Sequence, residues 1–136
     1  MENTNDISYV LRLLPGGDLR LSVENFVNEN KIEAGWIVTC AGSLTTYSIR
    51  FANQKNPSDG NGYFEIVSLT GTLSVNGCHL HISIADDKGK TIGGHLLHGC
   101  KTYTTAEIVL VKSGAYIFTR QKDDDTGWKE LQVKKK

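Results

Sequence analysis

No run of this sequence is apolar enough, for long enough, to cross a bilayer as a helix. That would take about 20 consecutive apolar residues, and none of its apolar stretches approaches this length. The first six residues, Met1-Glu-Asn-Thr-Asn-Asp6, are polar and acidic. They lack the basic start and apolar centre of a secretory signal, so cytoplasm is the default address. Net charge is lacking as well: 15 Lys and Arg balance 15 Asp and Glu. A domain whose main task is to grip phosphate backbones neutralises many phosphates with basic side chains, and the balance argues against that task. The cysteines Cys40, Cys78 and Cys100 are odd in number and show no Cys-x-x-Cys spacing. They read as reduced, buried small hydrophobes rather than a disulfide framework or a thiolate zinc finger. Pro15-Gly16-Gly17 carries no phosphate-loop pattern, so nucleotide binding has no support. Internal repeats, linkers and a second domain are also missing.

What is present suits one soluble globular domain over residues 1–136. Folding a chain of this size removes roughly two-thirds of its surface from water. Apolar residues at 39% and charged residues at 22% are ordinary values. Asp6 to Leu14 alternates in part and predicts a first strand. Asp18 follows the Pro-Gly-Gly break and suits an N-cap. The helix it opens runs to about Asn30, with Leu19, Val23, Phe26 and Val27 on one stripe. After it the pattern switches to period two. Strands are expected at Trp36 to Ala41 and Leu44 to Ala52, joined near Gly42. Asn53 to Gly62 reads as a loop. Strands follow at Tyr63 to Leu69, Gly71 to Val75, Cys78 to Ala85, Tyr103 to Lys112, Ala115 to Gln121 and Trp128 to Val133. Thr91 to Gly99 is glycine-rich and open to either reading, and Gly71, Gly77 and Gly99 are assigned to turns. Lys134 to Lys136 reads as a solvated basic tail. Eight or nine strands with one helix make an α+β domain with a mostly antiparallel sheet.

Cys78-His-Leu-His-Ile-Ser-Ile-Ala85 is the most informative stretch. Side chains alternate between the faces of a strand, so Cys78, Leu80, Ile82 and Ile84 share an apolar face. His79 and His81 share the other, roughly 7 Å apart at their Cα atoms. His95 follows Gly93-Gly94, which let the backbone approach closely or take a positive φ, and so can reach the same face. Three neutral nitrogen donors suit zinc, nickel, copper or iron. Three protein ligands leave a fourth position open, as at catalytic zinc. The spacing alone fits a solvated polar face equally. His98, three residues on, is a further candidate ligand or supporting partner.

The catalytic residues are unknown at this level. Glu65 and Glu107 lie in strand-like runs and qualify as carboxylates that orient a ligand or move protons. Outward-facing strand positions explain them as well. Arg12 in the first strand has a planar fork that can hold a carboxylate, or is simply exposed.

Several of these segments occur in a known order: Arg12-Leu-Leu-Pro-Gly-Gly-Asp18-Leu, Gly42-Ser-Leu44, Phe64-Glu-Ile-Val-Ser-Leu-Thr-Gly71, His79-Leu-His81 and Gly93-Gly-His95-Leu. Together they resemble the PPC (plants and prokaryotes conserved) domain over about Tyr9 to Leu131, in its stand-alone prokaryotic type. The match departs from the family pattern at Gly17, where an acidic residue is expected. The resemblance implies a strongly bent antiparallel sheet, a homotrimer, and a metal, zinc or another divalent transition metal, held by His79, His81 and His95. The fold is shared with zinc-dependent acetolactate decarboxylases, an analogy that carries no activity by itself. Three functions follow as expectations. The first is a trimeric module binding a small molecule at the metal. The second is a zinc-dependent lyase or hydrolase on a small carbonyl substrate. The third is a DNA-binding regulatory protein, as plant members are labelled, although this chain has no AT-hook segment to read a minor groove.

Overall fold

The computed structural model describes residues 4–136. The polar start at residues 1–3 lies outside the described residues. The chain runs β1 (Ile7–Leu13), α1 (Leu19–Glu29), β2 (Gly35–Arg50), β3 (Ser58–Leu73), β4 (His79–Ala85), β5 (Thr91–Leu96), β6 (Thr102–Lys112), β7 (Tyr116–Lys122) and β8 (Lys129–Lys135). Six strands form an antiparallel sheet in the order β1-β6-β2-β3-β4-β5, and β5 also pairs with β2. The sheet therefore folds back on itself. Register shifts in β2 and β3, at Leu44/Thr46 and Ile66/Ser68, mark where the long strands bend, since an extra residue on one strand sharpens local twist. This is the α+β fold with a mostly antiparallel sheet that the sequence pattern indicated, with the bend that the family resemblance implied.

Asp18 caps α1 by accepting a hydrogen bond from the Leu21 amide at 3.0 Å. Its other carboxylate oxygen accepts from the Gly99 amide at 2.7 Å, tying the helix start to the chain after β5. Leu19, Val23 and Val27 are buried against sheet residues such as Leu80, Ile84, Leu96 and Ile108. Phe26 completes the stripe by packing edge-on against Tyr9, with ring centroids 5.1 Å apart.

The structure corrects several boundaries. Gly42 does not join two strands: β2 is continuous through it, and a Cβ there would lie 2.2 Å from the Thr105 carbonyl oxygen. Gly71 likewise serves no turn. It sits inside β3, where a Cβ would meet the His79 carbonyl oxygen at 2.2 Å. Both glycines permit close backbone approach, a use that sequence alone does not separate from a turn. Gly77 and Gly99 do adopt positive φ, at 135° and 107°. The segment expected as a loop to Gly62 already pairs from Ser58 onward. The open stretch at Thr91 becomes β5. The lysine end is solvated as expected but is paired rather than a tail: Lys134 and Lys135 are exposed residues of β8, and the Lys136 amide donates to the Ala115 carbonyl at 2.9 Å.

β7 and β8 form a separate two-stranded hairpin. Its root is buried Phe118, whose carbonyl accepts from Ser74 Oγ at 2.9 Å and Asn76 Nδ2 at 3.0 Å. The Phe118 amide donates to the Glu33 carbonyl at 2.9 Å.

All three cysteines are free thiols, with Cys40 and Cys100 buried. Burial, with Glu107 adding to it, pushes the Cys40 thiol up to about 11. Burial likewise pushes Cys100 up to about 11. Both are protonated at neutral pH and poor nucleophiles. No helix among the described residues is long and apolar enough to cross a membrane.

Candidate metal centre

The alternation expected along β4 holds. Leu80, Ile82 and Ile84 are buried, while His79 and His81 are exposed on the other face. Backbone pairing then brings in the third histidine. His81 stands directly opposite His95 on β5, and residues opposed across an antiparallel pair share a face. The two glycines before His95 act by close approach. A Cβ at Gly93 would lie 2.6 Å from the Ile82 carbonyl oxygen, and one at Gly94 would lie 2.5 Å from that of Arg50. Strand β5 is thus held tightly between β4 and the end of β2, and any larger residue would push it away.

The three imidazoles offer nitrogen atoms that all lie within 4.8 Å of one another. Nε2 of His79 and Nε2 of His81 are 3.2 Å apart. Two nitrogens bound to one tetrahedral zinc at about 2.05 Å are about 3.3 Å apart, so this pair already has the spacing that a shared cation requires. The widest separation exceeds that value by about 1.5 Å, a gap that imidazole rotation can close. The donor set fits a transition metal of the zinc type. Burial, then the guanidiniums of Arg50 and Arg20, push the His95 imidazole down to about 4. His79 is lowered by burial, then by His81 and Arg120. Both are held in the neutral form that offers a lone pair to a metal.

The other candidates stand elsewhere. His98 reaches Glu24 on α1, and Glu24 also pairs with Arg20 at 3.4 Å. Glu65 is opposite Ala85, four residues along β4 from His81, or roughly 13 Å at strand rise. Arg12 and Glu107 face each other across β1 and β6 and share Thr105. Arg12 Nε donates to Thr105 Oγ1 at 3.1 Å, and this hydroxyl donates to Glu107 Oε2 at 3.4 Å. Glu65, Glu107 and Arg12 are all exposed, so none is a buried charge in need of a partner.

The pattern that describes the Plants and Prokaryotes Conserved (PCC) domain matches residues 2–113. The chain belongs to this family. Among relatives of the PCC domain, it is 45% identical over 127 residues to the bifunctional protein GlmU of Synechococcus sp. (strain JA-3-3Ab), aligning 93% of this chain with 20% of that protein. It thus spans about a fifth of the length of the curated relatives it matches. A hypothetical protein of Salmonella cholerae-suis superposes with a TM-score of 0.95 at 38% identity, covering 98% of this chain and 97% of that one. The metal-containing protein AF0104 from Archaeoglobus fulgidus superposes with a TM-score of 0.79 at 26% identity, covering 93% of each chain.

Sequence reasoning missed the cations around this PCC-domain site. Arg50, at the end of β2, is directly opposite His95. Arg120 on β7 donates from Nη2 to Thr72 Oγ1 at 2.7 Å, and Thr72 is opposite His79. Neither arginine is near a histidine in sequence, and only strand pairing and the hairpin bring them there.

Proposed function

We propose that this chain is a metal-binding PCC-domain protein, a homotrimer that holds a small molecule on zinc at His79, His81 and His95. The observation that carries this reading is the convergence of three imidazole nitrogens, from two adjacent strands, within 4.8 Å. Three neutral nitrogen ligands leave zinc a fourth position, where it acts as a Lewis acid on a bound oxygen. The similarity to a protein described as metal-containing supports the same reading. We place binding ahead of lyase or hydrolase chemistry because Glu65 and Glu107, the carboxylates considered for proton transfer, stand away from the histidines. Direct DNA binding ranks lower still, since basic and acidic residues balance at 15 each.

Assembly has its own support. The sheet face turned away from α1 carries Val10, Val38, Tyr63 and Val67 at 77%, 56%, 63% and 57% exposure. They alternate with Leu11, Ile37, Phe64 and Ile66, which pack into the core. Large apolar side chains exposed on one sheet face suit protein contacts, and a second and third copy of the chain are the partners proposed for it.

Elemental analysis of protein purified without a histidine tag tests the metal. Stoichiometric zinc or a related metal is expected, with His81→Ala losing it. Metal-free wild-type protein that also fails to take up added zinc would sink the proposal.

A further inference from the structure

The three histidines do not stand alone on their face of the sheet. Consecutive strand pairings place Thr70, His81, His95 and Arg50 in one row across β3, β4, β5 and β2. Opposed side chains in such a row have Cβ atoms about 5 Å apart, so the Arg50 stem rises beside the His95 ring. The next row holds His79 and Thr72, and Arg120 is fixed to the Thr72 hydroxyl. The histidine cluster therefore has a guanidinium on each side.

The β7–β8 hairpin builds both flanks. Its first strand brings Arg120, and the chain just before β8 brings Trp128, whose ring lies 5.3 Å from the Arg50 guanidinium carbon. A cation over an indole face is held without being neutralised. Residues 116–135 lie beyond residues 2–113, the part matched by the family pattern.

Among the described residues, neither Arg50 nor Arg120 forms an ion pair. The described ion pairs involve Arg20, His98 and Lys136, and no carboxylate of the described residues lies within ion-pair distance of Arg50 or Arg120. Arg50 makes one hydrogen bond, from Nη1 to the Gln54 carbonyl at 3.3 Å. A guanidinium has five N–H donors, so most of its fork is uncommitted. Both side chains are half-buried, which weakens screening by water. Adding a divalent cation between them would bring three positive centres together, and like charges at such separations repel. Glu130 on β8 supplies a negative charge near His79, and an anion lying between metal and the Arg50 guanidinium offsets the positive charge on the other flank.

We infer that the small molecule held at this site is a carboxylate, one oxygen filling the metal's open position and the other accepting from the Arg50 fork, with Arg120 closing the opposite side. The planar fork matches a carboxylate in shape as well as charge. This deepens the metal-site reading and rests on it.

The test uses the full chain loaded with cobalt(II), whose visible absorption reports changes in coordination. Acetate and acetamide, nearly equal in shape, are titrated as probes, followed by inorganic phosphate. Acetate is expected to change the spectrum saturably, and acetamide to leave it unchanged at the same concentrations. Arg50→Gln should weaken acetate binding roughly 10- to 100-fold, as loss of a charged hydrogen bond implies, while cobalt affinity stays equal or rises. Arg120→Gln is the second variant, expected to weaken acetate in the same direction, and circular dichroism checks that each variant is folded. Equal responses to acetate and acetamide, unchanged acetate affinity in both folded variants, or tighter binding of phosphate than of acetate would overturn the carboxylate assignment. Cobalt uptake with no acetate response defeats this inference alone. Failure to take up cobalt defeats the metal reading and the inference with it.

Discussion

Gly94→Ala should damage the histidine site without touching a histidine. A Cβ at position 94 would sit 2.5 Å from the Arg50 carbonyl oxygen and 3.0 Å from Ile49 Cγ2. Ordinary contact starts near 3.4 Å, so β5 and the end of β2 must separate by about 0.9 Å. Neither neighbour can give easily, because one is backbone and the other is the fully buried Ile49. Forcing a methyl into a packed interior costs about 1–3 kcal/mol, or roughly 4–12 °C in Tm for a domain of this size. Metal sites tolerate ligand displacements of only about 0.2 Å, and His95 is the next residue. Zinc affinity should fall roughly 10- to 100-fold, the loss typical of disturbing groups that orient a ligand. Thermal unfolding of the apoprotein and competition with a chromophoric chelator measure the two effects. A Gly94→Ala protein with wild-type Tm and zinc affinity would refute the argument that close backbone approach is why glycine stands before His95.

Three further outcomes follow from the same structure. The depressed pKa of His95, about 4 against 6.5 unfolded, means that the unfolded chain binds the extra proton between those values and the folded chain does not. Apoprotein stability measured in urea should therefore rise with pH across that window, and His95→Gln should flatten the rise. Asp18→Ala removes both the helix cap and the bond to the Gly99 amide. It should cost about 2–3 kcal/mol in denaturant titrations, more than a cap alone. Val67→Asp places a charge on the bare sheet face; sedimentation should show a smaller species with unchanged circular dichroism if that face joins copies of the chain.

The helix and the faces of β4 were legible because each is written locally. Asp18 and the Leu19, Val23, Val27 stripe specify a capped helix within a dozen residues. The alternation through His79 to Ala85 specifies which side faces the core. The long strands were not legible, because Gly42 and Gly71 look like turn residues until the opposing carbonyl is known to lie against them. Lys134 to Lys136 read as a tail because nothing nearby in sequence shows that Lys134 and Lys135 pair with Ile117 and Tyr116.

By itself the sequence determined that His79 and His81 share one face of a strand in an α+β domain and that a glycine pair precedes His95, since alternation and backbone permissiveness are properties of neighbouring residues. Only the tertiary structure decided that His81, His95 and Arg50 line up in one row, and that a terminal hairpin sets Trp128 and Arg120 around them. Register between distant strands comes from the packing of the whole sheet, and a short segment carries no record of which partner it will face.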